Sequence, residues 1–320
     1  MRLRSLILAC VLAAFSHPSA AADLPEPTMP LLRDHALVGR VWLPGQQAFT
    51  SPDELLSLAR EADVVMLGET HDNQDHHALQ AWMVGQLSKS GKKPVVAFEM
   101  IDSAQAPALA AHLAAHPADA AGLGAALGWE KSGWPDWAGN YRPIAQAALS
   151  GGARLAAANL SRDETKTIAK GDIPKAWAGK LGLEKPQAPD QRQAMEADIQ
   201  AGHCHMLPDR ALPAMVRVQR ARDAVMAHAV ASGPKSILIA GTGHVRKDLA
   251  APRHLAEMAP GRKVLSIALL EVQKDKADPS AYAEAFDADT LPFDAVWFTA
   301  HAERPDPCEA FRKHMEQKKG

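Results

Sequence analysis

Val64-Val65-Met66-Leu67-Gly68-Glu69-Thr70-His71 and Ile237-Leu238-Ile239-Ala240-Gly241-Thr242-Gly243-His244 are the two stretches that decide the fold. Each opens as an unbroken aliphatic run, the composition of a strand buried on both faces in a parallel sheet covered by helices. Each then breaks at glycine and sets a histidine just past the strand end. Ligands of open α/β sheets bind at that carboxyl edge, where loops are positioned by a rigid sheet yet open to solvent. Two histidines and the carboxylate of Glu69 at one such edge make it the candidate site.

The same aliphatic pattern recurs in Pro94 to Met100, Arg154 to Leu160, Lys263 to Leu270 and Ala295 to Thr299. Helical signals lie between. Ser51-Pro52-Asp53-Glu54 combines an N-cap, a first-turn proline and a glutamate three residues on. Asp72 reads as the cap of a helix reaching Lys89, with Leu79, Trp82, Met83 and Leu87 on its apolar face. Alanine-rich helices fill 103–127, a Trp-rich connection covers 129–141, and a helix spans 142–150. No strand pattern occurs from about 161 to 208, so this segment reads as a helical insertion, and a long helix over 209–231 returns to the sheet. The expectation is an α/β fold: a mostly parallel sheet covered by helices on both faces, with a helical insertion. It forms a single domain over 35–312, after an extended lead at 23–34 and before a basic tail at 313–320.

Composition narrows the function. The 320 residues are 47% hydrophobic and 5% aromatic with two tyrosines, and the formal charge of −2 does not point to nucleic acid or a charged membrane surface as partner. Met1-Arg2-Leu3-Arg4 is basic, Ser5 to Phe15 is apolar but too short to span a bilayer, and small residues end at Ala20 and Ala22. This is a secretory signal at 1–22, and it predicts a periplasmic protein. Ile7-Leu8-Ala9-Cys10 resembles a lipid-attachment site, a weaker reading because so few residues precede Cys10. The exported chain keeps Cys204 and Cys308, which in an oxidising compartment read as one disulfide closing a loop of about 100 residues, worth about 4–5 kcal/mol. The rival reading makes Cys204 a metal ligand between His203 and His205.

Several side chains could carry chemistry. Glu69 and His71 are two apart, which in extended backbone puts them on one side, able to share a metal, a proton or a ligand. Glu99 closes a buried strand, where an unpaired carboxylate is costly; Arg162, Arg220 and Arg222 are available partners. Arg222, facing inward, would neutralise Glu69 or Glu99 or hold an acidic ligand, whereas a surface pair with Asp223 is the plainer alternative. Gly241-Thr242-Gly243-His244-Val245-Arg246 lacks the third glycine of a dinucleotide fingerprint, so His244 faces something other than nicotinamide. His76 and His77 read as surface or capping residues. His203-Cys204-His205-Met206, taken as extended, points two imidazoles one way and suits a transition metal or haem. No His-Glu-x-x-His, Cys-x-x-Cys, Gly-x-Ser-x-Gly or Gly-x-x-x-x-Gly-Lys motif is present.

Six ordered motifs then resemble a known family. Gly-Glu-Thr-His-Asp-Asn-Gln-Asp-His-His at 68–77, Ala-Phe-Glu-Met at 97–100, Trp-Pro-Asp-Trp at 134–137, Ala-Ala-Asn-Leu-Ser-Arg at 157–162, Arg-Asp-Ala-Val-Met-Ala at 222–227 and Ile-Ala-Gly-Thr-Gly-His at 239–244 are similar to the ChaN-like haem-binding proteins of bacterial haem uptake. That family shares a superfamily with erythromycin esterases and Tiki-type proteases. The resemblance implies an exported haem-binding protein, a homodimer, with outer-membrane haem transport components as partners. It matches Glu69, His71, Glu99, Arg162, Arg222 and His244 to the cleft. Axial ligands then come from His71, Tyr141, His203, His205 or His244, and propionate partners from Arg162, Arg222 or Arg246. The alternative is a hydrolase using Glu69, His71, Glu99, Arg222 and His244, with a divalent metal on His71 and His244. A third reading is a metallochaperone built on His203 and His205.

Overall fold

The computed structural model describes residues 24–89, 91 and 93–317, so the expected signal at 1–22, with Cys10, and the chain end at 318–320 lie outside the described residues. The strands are β1 Val41–Leu43, β2 Ala48–Thr50, β3 Val64–Glu69, β4 Val95–Asp102, β5 Arg154–Asn159, β6 Ser236–Gly241, β7 Val264–Glu271 and β8 Ala295–Thr299. The helices are α1 Pro52–Glu61, α2 Gln74–Ser88, α3 Ala106–Ala115, α4 Ala120–Ala126, α5 Arg142–Ser150, α6 Arg162–Ala169, α7 Pro189–Gly202, α8 Leu212–Val230, α9 Ala251–Met258 and α10 Pro307–Gln317.

All strands join one sheet in the order β2-β1-β8-β7-β3-β6-β4-β5. Every pairing from β8 to β5 is parallel, and the β1–β2 hairpin adds an antiparallel edge. From β3 the chain moves outward past β6 to β4. After β6 it crosses β3 and continues on the other side. The direction of winding therefore reverses between β3 and β6, and a crevice opens at the carboxyl ends of strands flanking such a reversal.

Alternation along the strands divides the core. Val65, Leu67, Val96, Phe98, Ile237 and Ile239 pack under α1 to α5. Val64, Met66, Ala97, Leu238 and Ala240 pack under α8 and α9. Each fully buried aliphatic side chain contributes about 1.5–3 kcal/mol, so the central strands anchor the crevice firmly.

Local signals hold at α1: Ser51 Oγ accepts from Glu54 N at 3.2 Å, and Glu54 Oε2 accepts from Ser51 N at 3.0 Å. They fail at α2, where Asn73 is the cap, its Oδ1 accepting from Asp75 N and His76 N. Within the stretch read as a helical insertion, α6 and α7 fold against α8, while the residues between them carry only a short 3-10 turn at Lys175–Trp177. The stretch read as a basic tail from Lys313 is helical through Gln317.

Candidate functional site

β3 and β6 lie in register with Glu69 opposite Gly241. The turn that follows β6 presses on β3 so closely that a Cβ on Gly68 would stand 2.5 Å from Val245 Cγ2 and 2.9 Å from Thr242 Cα. A Cβ on Gly241 would stand 2.9 Å from His71 Nε2 and 3.6 Å from Glu99 Oε2. Glycine at these two positions is what lets strand, turn and imidazole share the crevice.

Two chains of carboxylate and imidazole meet there. In the first, Glu69 Oε1 accepts from His71 Nδ1 and from the Tyr141 hydroxyl, each at 2.8 Å. Glu69, its pKa held down by His77 and His71 against burial, is a carboxylate that only accepts, so His71 carries a proton on Nδ1. His77 Nε2 lies 3.2 Å from Glu69 Oε2 but off the hydrogen-bond line, leaving Oε2 and both His77 ring nitrogens without a hydrogen bond. The charge contact rests on the separation alone. In the second chain Asp223 Oδ1 meets His244 Nδ1 at 2.6 Å, and His244 Nε2 stands 3.3 Å from Glu99 Oε1. Glu99 Oε2 accepts from Gly241 N at 2.7 Å. His71 Nε2, 4.0 Å from Glu99 Oε2, joins the two chains.

Burial and charge set the protonation states. Burial alone would neutralise His244, but Glu99 and Asp223 on its two nitrogens outweigh it and push its pKa up to about 10. Burial would likewise protonate Glu99, yet His244 and His71 hold it down at about 2. Glu69, against burial, is held well below the ordinary carboxylate range by His77 and His71. Burial raises Asp223 to about 6 and raises Tyr141, whose hydroxyl stays protonated beside Glu69. His71 is raised: the Glu69 hydrogen bond and the Glu99 charge overcome its burial.

Of the four converging side chains His71 is the most exposed. The His71 side chain is 35% exposed, against 10% for His244 and 5% for Glu99. Its ring meets Trp134 edge-on with centroids 4.8 Å apart. A hollow of about 460 Å³ adjoins, lined by Glu99, Lys131, Trp134 and Arg162 among others. Across Trp134 a second, of about 740 Å³, is walled by Trp129, Trp137 and Arg142. A chain poor in aromatics thus concentrates them beside His71.

Comparison with known proteins places this crevice in context. A family model described as haem-binding uptake, Tiki superfamily, ChaN matches residues 55–255. The chain belongs to this family. Among solved structures it is similar to ChaN of Campylobacter jejuni, whose structure is described as cofacial haem binding, with a TM-score of 0.64 and 23% identity over 80% of this chain and 95% of that one. At that identity the likeness concerns the fold, and it confirms the α/β architecture. Fainter likenesses are to the type III effector HopBA1, with a TM-score of 0.40 and 17% identity over 78% of this chain and 92% of that one. The erythromycin esterase EreC, as a variant in its open conformation, gives 0.43 and 13% identity over 80% and 95%. A search of curated proteins returned no match.

In this ChaN-family chain Glu69, His71, Glu99 and His244 do converge, but other expectations are corrected. Tyr141 is fully buried with its hydroxyl committed to Glu69, so it offers no open ligand atom. Arg246 is spent elsewhere: its Nη1 reaches Asp198 at 2.6 Å and its Nη2 reaches Asp248 at 2.7 Å. Arg222 makes no ion pair with Glu69 or Glu99 among the described residues, and its buried Nε has no hydrogen-bond partner. One helical step of about 100° separates it from the inward-facing Asp223. Arg162, exposed at the first position of α6, keeps its place on the hollow. His203, Cys204 and His205 form a turn at the end of α7 with φ of 55° at Cys204 and His205, so the expected extended alternation is absent. There His203 Nδ1 bonds Ile199 O at 2.7 Å, and Cys204 is bridged to Cys308. The divalent-metal reading of His71 and His244 finds no support: among the described residues no group of three or more metal-binding side chains is assembled. Both nitrogens of His244 already face carboxylates.

His77 and Asp223 were missed as site residues. The signal was there. Continuing the α2 stripe of Met83, Leu79 and Gln80 back by three and four lands on His76 and His77, both buried. On α8 the stripe Val216, Ala227 and Val230 includes Asp223.

Proposed function

We propose that this protein is an exported haem-binding protein of bacterial haem uptake, holding its cargo at the carboxyl edge of the sheet with His71 toward the iron. One observation carries the reading: His71 is the crevice imidazole with real exposure, and its Nε2 has no hydrogen-bond partner among the described residues. Glu69 on the opposite nitrogen fixes the tautomer and raises the basicity of the ligand atom, the usual second partner of a metal-binding histidine. Trp134 offers a flat apolar surface beside it, and Lys131 and Arg162 on the hollow suit propionate groups. Export is supported by the N-terminal sequence and by the Cys204–Cys308 bridge, which belongs to an oxidising compartment. A homodimer and outer-membrane transport partners complete the proposal; sedimentation with and without haem tests the first.

Titration of the purified protein with ferric haem is the test. A saturable Soret shift is expected, and His71→Ala and Glu69→Gln should each weaken it about 10–100-fold while circular dichroism stays native. Absence of any shift, or an unchanged affinity in His71→Ala, ends the reading.

A second reading, acid–base hydrolysis, is favoured by one feature: the continuous Asp223–His244–Glu99 chain exceeds what holding a porphyrin requires. Glu99, held near 2, is a weak base, so the proton-transfer role falls to His71, exposed and raised in pKa. Turnover of ester substrates that survives both His71→Ala and Glu99→Gln unchanged rules it out.

A further inference from the structure

The two residues just beyond the crevice histidines are both clamped from outside, and the two clamps are joined by the disulfide. Asp72, next to His71, receives Arg304 Nε on Oδ2 at 2.8 Å and Nη2 on Oδ1 at 2.7 Å. The same guanidinium reaches both oxygens of Glu271 at 2.6 Å, and Asn73 Nδ2 donates to Glu271 Oε1 at 2.7 Å. The His71 loop is therefore fastened to Arg304. On the other side Arg246, two residues past His244, pairs with Asp198 of α7 at 2.6 Å. α7 ends at Gly202, and Cys204 in its closing turn is bridged to Cys308, four residues beyond Arg304. The path His71–Asp72–Arg304–Cys308–Cys204–Asp198–Arg246–His244 is thus a strap running from one crevice histidine to the other around the outside of the fold.

Only the sulfur link in that strap can be made and broken chemically. Both cysteines are half-buried at the surface, within reach of a thiol. Cys204 and His205 both sit in left-handed backbone at φ 55°, a conformation non-glycine residues hold only when the surroundings impose it. Among the described residues, the base of the C-terminal segment is also held by the Leu31–His301 pairing and by Ala302 N and His301 Nε2 on Glu271 at 3.0 and 3.5 Å, whereas beyond Arg304 a ring contact of 5.6 Å between His203 and Phe311 accompanies the bridge.

We infer that the Cys204–Cys308 disulfide is a redox control on the haem crevice, through a strap that holds the His71 and His244 loops. Reduction by a dithiol donor proceeds through a mixed disulfide. The donor's first thiolate bonds to one protein sulfur and the other leaves as thiolate. The donor's second thiol then displaces the first sulfur, so two electrons and two protons pass to Cys204 and Cys308 and the donor becomes a disulfide. With the bridge open, Arg304 keeps its bonds to Asp72 and Glu271, but the segment that follows it loses its covalent anchor to the end of α7. The Asp72 clamp then loosens, the loop that carries His71 gains freedom against the Glu69 hydrogen bond, and the hold on cargo weakens. The ligand half of this inference rests on haem binding at His71; the strap itself does not.

Amide hydrogen exchange of the haem-free protein, oxidised and after dithiothreitol, tests the strap. Reduction should speed exchange at 70–73 and 244–248 about tenfold or more with the rest of the sheet protected. Cys204→Ser/Cys308→Ser should show the fast pattern with no response to reductant. Arg304→Gln, with the bridge intact, should loosen 70–73 alone. In parallel, haem affinity of the reduced protein should fall about tenfold or more. Faster exchange confined to 200–206 and 305–317 makes the bridge a local staple and overturns the inference, as does global loss of helical dichroism on reduction. If the oxidised protein binds no haem but the loops still respond, the strap stands and haem binding at His71 falls.

Discussion

At the residue scale, Glu69 is the pivot of the crevice. It collects His71, His77 and Tyr141 on two oxygens, and of these only His71 reaches solvent. Tyr141 separates two modes of haem capture. A tyrosine that ligated iron would abolish the visible spectrum when removed, whereas here its hydroxyl only steadies Glu69. Tyr141→Phe should therefore cost about 1–3 kcal/mol in urea unfolding, the penalty for a buried acceptor losing a partner, and leave a Soret shift in place. Loss of the shift would move the axial role to Tyr141. Glu69, Glu99, His71 and His244 were legible in sequence because each stands at or just past the end of an aliphatic strand run. His77 and Asp223 were not, because on a helix a polar residue within an apolar stripe looks like the edge of the stripe until its partner across the core is known.

At the element scale, the parallel strands were readable because each is buried on both faces and must be aliphatic throughout. The β1–β2 hairpin was not, being three residues a side at the sheet edge, where no continuous apolar run is needed. Cap choice at α2 was misread because Asp72 and Asn73 are both good caps. The deciding fact is tertiary: Arg304 claims Asp72 and leaves Asn73 to cap. The contact between β3 and the turn after β6 is the tightest packing that the site depends on. Gly68→Ala should lower stability by about 1–3 kcal/mol or more, since the obstructing Thr242 Cα is backbone and cannot rotate aside. It should also displace His244. A thermal melt paired with the histidine resonances checks both; a variant as stable as the parent would mean that the turn is free to move.

At the scale of the whole molecule, the buried charges tie stability to pH from both sides. Glu99 is depressed to about 2, so its stabilisation is complete above about 4.3, its unfolded value, and is lost as pH falls through 2. His76, buried and neutral with its pKa lowered to about 3, adds stability above about 6.5 that drains away as pH falls toward 3. His244 is the reverse: raised to about 10, it stabilises fully below about 6.5 and loses that contribution as pH climbs through 10. Asp223, raised to about 6, works against the acid limb, because its protonated form is favoured in the fold at low pH. Urea unfolding from pH 3 to 10 should thus show greatest stability near neutrality. The alkaline decline should shrink in His244→Gln, leaving the smaller share that His71 contributes, while the acid decline persists, since His76 is untouched. Glu99 and His244 share one ion pair, so the double variant should cost less than the two single variants together. An alkaline limb of undiminished size in His244→Gln would show that the imidazolium between Glu99 and Asp223 is not what the fold is built around.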